Sequence, residues 1–580
     1  MPTLLVLASI FLFVSLTMAA LTTATSKTAD QNFEALAKKY IAQLLEMNPE
    51  FATELGHHRF DNRLDDYSVA QVERTRAMDR EYLKLLKEIP LARLSKVNSV
   101  DYRIMRTRLE YDLFSIDTLR EHEWNPLNYN FANGVYALIA RDFAPLKSRL
   151  LSVKERLKQI PAAAKQAKAN LKNPPRIFTE TAIQQNQGAV SLIRDDLQQF
   201  IDRIPELKAE LTPAQAQATA ALQDYGKWLE QELLPRSNGD FRIGDEKFRK
   251  KLRFALDSDL TKEEILKRAE EDLKATQNAI YEVALPLYKK YFPEGQDATR
   301  LSDKKTVVKV VLGKLTEAHP TNETIVPLAK GDLAAATDFV RANNLATVPT
   351  EPVKVIVLPE FKRGVAVAYC DSAGPFERNG ETFFEISPTP KDWNPARVES
   401  FFREYNNYMV QDLTVHEAMP GHYLQLAHAH KFTAPTKVRA VFSSGSFIEG
   451  WAVYAEQLMA ERGYGGPEVR MQQLKMRLRV IINAIIDQKI HTAGMTEKEA
   501  MDFMMNEGFQ EEGEAAGKWR RARLSSTQLS TYYVGNLEVN DIRRAYEARI
   551  GGPVDFQRMH DIMLSFGSPA PKYVRELMGL

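Results

Sequence analysis

QNFEALAKKYIAQLL, residues 31–45, sets the reading of the chain. Phe33, Leu36, Ala37, Tyr40, Ile41, Leu44 and Leu45 recur three and four residues apart. On a helix of 3.6 residues per turn they form one apolar stripe, and such a stripe has to be buried against another element. The same spacing returns over 100–118, 147–171, 179–204, 213–234 and 261–291. Pro161 and Pro286 fall inside two of these stretches, where the missing amide donor predicts a kink or split. Pro213 and Thr261 read as helix starts, the latter with Glu264 three residues on as a capping box. Near residue 350 the period changes. Val353–Leu358, Val365–Tyr369 and Thr382–Ser387 are short, rich in β-branched or aromatic residues and bounded by proline and glycine, which predicts a small antiparallel sheet. An edge strand of such a sheet can pair with an extended peptide, and the strand at Thr382–Ser387 is the one expected to align a substrate backbone. After Pro395 helical spacing resumes. The expected fold is mainly α: a single large helical domain over residues 27–580, with a cleft and one small antiparallel sheet.

The charge balance excludes some functions. Across 580 residues, 77 lysines and arginines face 76 acids for a net charge of +1, so neither nucleic acid nor an anionic membrane surface is favoured as a partner. The basic run Lys518–Arg523 reads as a solvated helix face or as a carboxylate-binding site, and Arg520, Arg521, Arg523, Arg543 and Arg544 are the side chains that could serve the latter. Residues 1–26 carry no charge, and Leu4–Met18 is almost continuously apolar. Fifteen positions are short of the roughly 20 a membrane span needs. A signal peptide over 1–26 is therefore expected, with an uncleaved anchor as the other reading. The mature protein would be exported, periplasmic or secreted, without stable membrane association. Cys370 is the one cysteine, which leaves no internal disulfide and no lipid attachment after the apolar run. Its setting at the end of a strand-like segment predicts a buried, inert thiol.

Chemistry concentrates at His416-Glu417-Ala418-Met419-Pro420-Gly421-His422. His-Glu on a helix, expected here over 401–415 and onward, opens the HExxH pattern, in which one histidine binds zinc and the glutamate takes a proton from the zinc-bound water. The second histidine of that pattern lies four residues on, on the same face. Here it lies six on, a rotation of roughly 240° on a regular helix. Pro420-Gly421 supplies a break that can return His422 to the metal side; without one, the pair are buried histidines beside a helix end. The segment EGWAVYAE, 449–456, follows. Glu449 is a natural third ligand, and Glu456, seven residues on along the same face, can orient a ligand histidine or lie at the surface. Two histidines, a glutamate and a water make an open four-coordinate zinc site, with Glu417 as general base. No GxSxG elbow, phosphate-binding loop or dinucleotide fingerprint is present.

These residues resemble the bacterial domain-of-unknown-function family eight-eight-five, a group placed with zinc metallopeptidases. Gly56-His57-His58-Arg59-Phe60-Asp61 with Leu64, Asp66 and Ser68 is similar to its opening signature. Asp101-Tyr102, Arg106, Leu109, Pro126 and Tyr129 resemble its next segment. HEAMPGH and EGWAVYAE are similar to its hallmark pair, Asp487 and His491 fall where it carries those residues, and Gln528, Tyr532 and Gly535 resemble its Gln-xxx-Tyr-xx-Gly segment. The resemblance implies zinc at His416, His422 and Glu449, Glu417 as base, and His491 and Tyr532 (with Tyr533 adjacent) as candidates to hold the oxyanion. Two stretches depart from it: 371–378 does not align, and the Gln528 segment lacks a preceding proline. The implied activity is zinc-dependent hydrolysis of peptide or related amide bonds. An exported binding protein without turnover and a cell-wall amidase or esterase are the other readings.

Overall fold

The opening stripe is a helix over Ala29–Met47 that buries Phe33, Ala37, Tyr40, Ile41, Leu44 and Leu45. Thr28 caps it reciprocally with Gln31. The computed structural model describes residues 27–294, 301–358, 367–377, 380–391 and 393–580; the expected signal peptide lies outside them. Thr261 and Glu264 form the expected capping box ahead of Lys262–Tyr291. The prolines behave otherwise than expected. Pro161 and Pro286 lie within the unbroken helices Leu146–Asn170 and Lys262–Tyr291, and Pro213 lies inside Lys208–Trp228, not at its start. A proline costs a helix about 3 kcal/mol. Each fully buried leucine or isoleucine returns about 1.5–3 kcal/mol, and Leu157 and Ile160 before Pro161, and Ile280 and Leu287 on either side of Pro286, are buried in the stripe.

First and last helices share a core: Tyr40, Tyr82 and Met105 pack in one cluster with Val438, Val441 and Tyr573. Two further clusters wall the site. One contains Val415, Leu424, Phe447 and Trp451, the other Ile485, Ile490, Val534 and Leu537. Among the described residues no helix is long and apolar enough to cross a membrane.

The sheet has three strands, β1 (Val353–Val357), β2 (Ala368–Asp371) and β3 (Thr382–Ile386), in the order β1-β3-β2. It is mixed, which corrects the antiparallel expectation: β2 runs antiparallel to β3, and β1 runs parallel to it. Successive strands do reverse direction along the chain, but the third inserts between the first two, so neighbours in space are not neighbours in sequence. This also removes Thr382–Ser387 as a template for an extended peptide, because β3 has a strand on both edges. The edge beside the site belongs to β2. The N-terminal half holds this edge in place. Leu55 O accepts from Phe376 N at 2.9 Å, His58 bridges Asp61 and Glu377 at 3.0 and 2.9 Å, and Arg141 binds Asp371 through Oδ1 at 2.5 Å. Thus the Gly56–Asp61 segment acts on the loop that leaves β2, about 320 residues away in sequence.

Candidate metal centre

Six helices carry the site: α1 (Asn407–Glu417), α2 (His422–Lys431), α3 (Gly445–Glu461), α4 (Gly466–Thr492), α5 (Glu512–Leu524) and α6 (Ser530–Ile550). The helix expected to run through residue 401 is in fact two. One ends at Glu404, and Asn406 then caps α1 by accepting from Met409 N at 3.2 Å. α1 stops at Glu417 and α2 starts at His422, so the predicted break between the histidines is a complete change of helix. Gly421 N donates to Val415 O at 2.9 Å. A Cβ on Gly421 would lie 1.9 Å from His416 O, so only glycine lets the chain turn this tightly against α1.

The segment 449–456 completes the site, each residue with its own task. Glu449 faces both histidines. Gly450 meets Gly535, where a Cβ would lie 2.3 Å from the Gly535 carbonyl carbon; α3 and α6 therefore cross backbone to backbone, with Glu449 just before the crossing on α3 and Tyr532 about one turn before it on α6. Trp451, fully buried, donates its indole N–H to Pro420 O at 2.8 Å and pins the α1–α2 turn. Tyr454 bonds His560 at 2.8 Å. Glu456 Oε1 takes His416 Nδ1 at 2.5 Å. That bond fixes the tautomer and aims Nε2 at Glu449.

His416, His422 and Glu449 offer donor atoms that all lie within 4.8 Å of one another. Glu449 Oε2 is 3.5 Å from His416 Nε2 and 3.4 Å from His422 Nε2. The imidazole planes stand at 84°. A tetrahedral zinc ion with bonds of ~2.0–2.1 Å has ligand-to-ligand edges of about 3.3 Å, so these spacings fit such an ion and are long for hydrogen bonds. Glu449 Oε2 and His422 Nδ1 are buried without a hydrogen-bond partner. A buried carboxylate oxygen left so is costly, and a cation between the three donors would satisfy it. Burial raises the Glu449 carboxyl, but the two facing imidazoles outweigh it and hold it well below the usual range. Burial opposes charge on His416, yet Glu449 and Glu456 keep its pKa well above the ordinary value. Behind them burial, then the Glu456 charge, push the Asp412 carboxyl well above its ordinary range.

Glu417 is not one of the three donors. Its Oε2 accepts the Cys370 backbone N–H of β2 at 3.0 Å, and burial raises its pKa above the ordinary value. Cys370 is a partly buried free thiol, and burial together with the neighbouring Glu417 charge pushes it far up. It contributes its amide to the site, not its sulfur.

The two oxyanion candidates part company. Tyr532 reaches the site: burial, then the Glu449 charge, raise its hydroxyl. That oxygen accepts from Arg521 Nη2 at 3.0 Å and Gln528 Nε2 at 3.4 Å, which leaves its own proton free to donate. Tyr533 points away, onto Asp272 at 3.0 Å. His491 is not one of the three clustered donors. Its ring lies between Phe241 and Phe248, and Nε2 is taken by Ala522 O at 3.0 Å and Ser525 O at 2.9 Å. Asp487 serves the start of α6, accepting from Thr527 N, Ser530 N and Ser530 Oγ at 2.8–3.2 Å. Arg521, one of five arginines singled out in the sequence, is the one that comes to Tyr532.

The chain belongs to the family described as bacterial protein of unknown function (DUF885), whose model matches residues 49–578. It is similar to the solved structure of a candidate lipoprotein of unknown function from Shewanella oneidensis, at 33% identity over 94% of this chain and 100% of that one, with a TM-score of 0.80. A candidate lipoprotein from Colwellia psychrerythraea shares the fold at 17% identity over 95% and 99%, with a TM-score of 0.78. The M32 carboxypeptidase of Deinococcus radiodurans R1 reaches a TM-score of only 0.40 at 12% identity over 95% and 94%, too low to bear on this chain. No curated protein sequence matches.

Proposed function

We propose that the chain is an exported zinc-dependent hydrolase that cleaves peptide or related amide bonds. The observation that carries this reading is the pairing of a three-donor cluster with a fourth acid, Glu417, that is free of the cluster yet fixed beside it. A site that merely stores a metal has no use for such a base. Two imidazoles and one carboxylate suit zinc, which when bound would supply a Lewis acid and a water made acidic enough to ionise near pH 7. Glu417 would accept the proton of the attacking water and return it to the leaving amine as the C–N bond breaks. Tyr532 would donate its free proton to the oxygen that gains charge on the scissile carbonyl. Glu456 would hold His416 in place throughout. The edge of β2, beside Glu417, replaces β3 as the strand along which an extended substrate would lie. Export rests on the uncharged apolar run at 4–18.

Glu417→Gln tests the reading. Peptide cleavage should fall by roughly 10²–10⁴-fold, the usual worth of a general base, while zinc content stays at the wild-type level. Unchanged cleavage, or wild-type protein that holds zinc and cleaves no peptide, amide or ester, would turn the reading toward a binding protein.

A further inference from the structure

Arg521 differs from the other cations of its run in the company it keeps, because it alone among them bonds Tyr532. Arg520 bonds Thr181 and Gln184 at 3.0 and 2.6 Å. Lys518 is buried 3.9 Å from Glu514, and Arg523 lies 5.1 Å over the Trp519 ring. Arg543 pairs with Glu461 and Glu547, and Arg544 with Asp541. Arg521 has no acidic partner among the described residues. Its two hydrogen bonds both leave Nη2, to Gln528 Oε1 at 2.9 Å and Tyr532 OH at 3.0 Å. These neutral groups orient the guanidinium without neutralising it, and Nε and Nη1 remain for a ligand. The side chain is exposed, and after the Tyr532 hydroxyl it feels the charges of Glu449 and Tyr369. Tyr369, on the edge strand β2, is itself one of the few large apolar side chains left 37% exposed. An oriented, unpaired arginine presents the fork that binds a carboxylate through two bonds.

We infer that Arg521, oriented by Gln528 and Tyr532, receives the free C-terminal carboxylate of a short peptide and makes the protein an exopeptidase that works from the carboxyl end, with Tyr369 walling the terminal side chain. The inference rests on the hydrolase reading above. Arg521 bonds Tyr532 three residues before the crossing of Gly535 on Gly450, the residue after Glu449, so an anion held by Arg521 lies on the cluster's side of α6. That places the scissile bond near the end of the peptide, not deep within it. A terminal carboxylate is the anion every peptide supplies, whatever its sequence.

The test uses a pool of N-acetyl tripeptides with randomised side chains, prepared as free acids and as C-terminal amides. Binding is measured first, by calorimetry, to zinc-loaded Glu417→Gln protein with and without Arg521→Met. The acids should bind roughly 10-fold more tightly than the amides, the lower end of what a hydrogen bond to a charged group is worth, and Arg521→Met should erase that preference while Arg520→Met keeps it. Cleavage by protein with Glu417 intact should show the same ratio in kcat/KM. Equal binding of acids and amides overturns the inference and leaves the hydrolase standing. So does a preference that follows aspartate or glutamate side chains in the amidated pool, or an Arg521→Met variant that weakens acids and amides alike. Cleavage of neither pool, nor of longer peptides, by zinc-loaded protein overturns the hydrolase reading and this inference with it.

Discussion

His416 and His491 look alike in the sequence. Each lies in the last turn of a long helix, and each has an aspartate four residues before it, Asp412 and Asp487. Their surroundings differ. At His416 one ring nitrogen is gripped by Glu456 at 2.5 Å and the other faces Glu449 across a gap that fits a cation. At His491 the gripping is done by two backbone carbonyls, and Asp487 is spent on amides that open α6. An Asp-xxx-His pattern thus fixes the face that the two side chains share and says nothing of what stands opposite. What distinguishes His416 is that its free-facing ring nitrogen lies among two other donors at spacings that suit a cation, whereas the unpartnered Nδ1 of His491 belongs to no such cluster.

Three substitutions sharpen or break this contrast. Tyr532→Phe removes the hydroxyl proton proposed to meet the oxyanion, and kcat on peptides should fall by roughly 10²-fold with the melting temperature unmoved. His491→Asn should change kcat less than about threefold; the reverse ranking would restore His491 to the catalytic machinery. Glu456→Gln leaves His416 without its anionic partner, and zinc affinity, measured against a competing chelator, should weaken by about 10–100-fold. The smallest effect is on folding. His491→Asn should lower unfolding free energy in urea by about 1–3 kcal/mol, because the Ala522 and Ser525 carbonyls lose a buried donor. No loss of stability would mean that the ring does not tie α4 to the end of α5.

Helix positions were legible because the apolar stripes that predict them are the ones buried, as in 31–45. The three metal donors and Glu417 were legible because residue type, spacing and a Pro-Gly break agree on one geometry. The mixed sheet was not, because strand order depends on which loop carries β3 between its neighbours, and no local pattern records that. The prolines misled because their local cost is smaller than the burial on either side. The roles of Gly450 and Trp451 needed three dimensions, since their partners, Gly535 and Pro420, lie on other helices. Arg521 was one of five equivalent arginines until the structure showed it to be the one bonded to Tyr532.

The central claim is that a change of helix at Pro420-Gly421 builds one metal site from His416, His422 and Glu449. Metal content of the purified protein after zinc loading at neutral pH, wild type beside His422→Ala, tests it most directly. The account predicts about one zinc per wild-type chain and a near-complete loss in the variant, whose helix content should be unchanged by circular dichroism. Equal zinc in both proteins, or none in either, would contradict it.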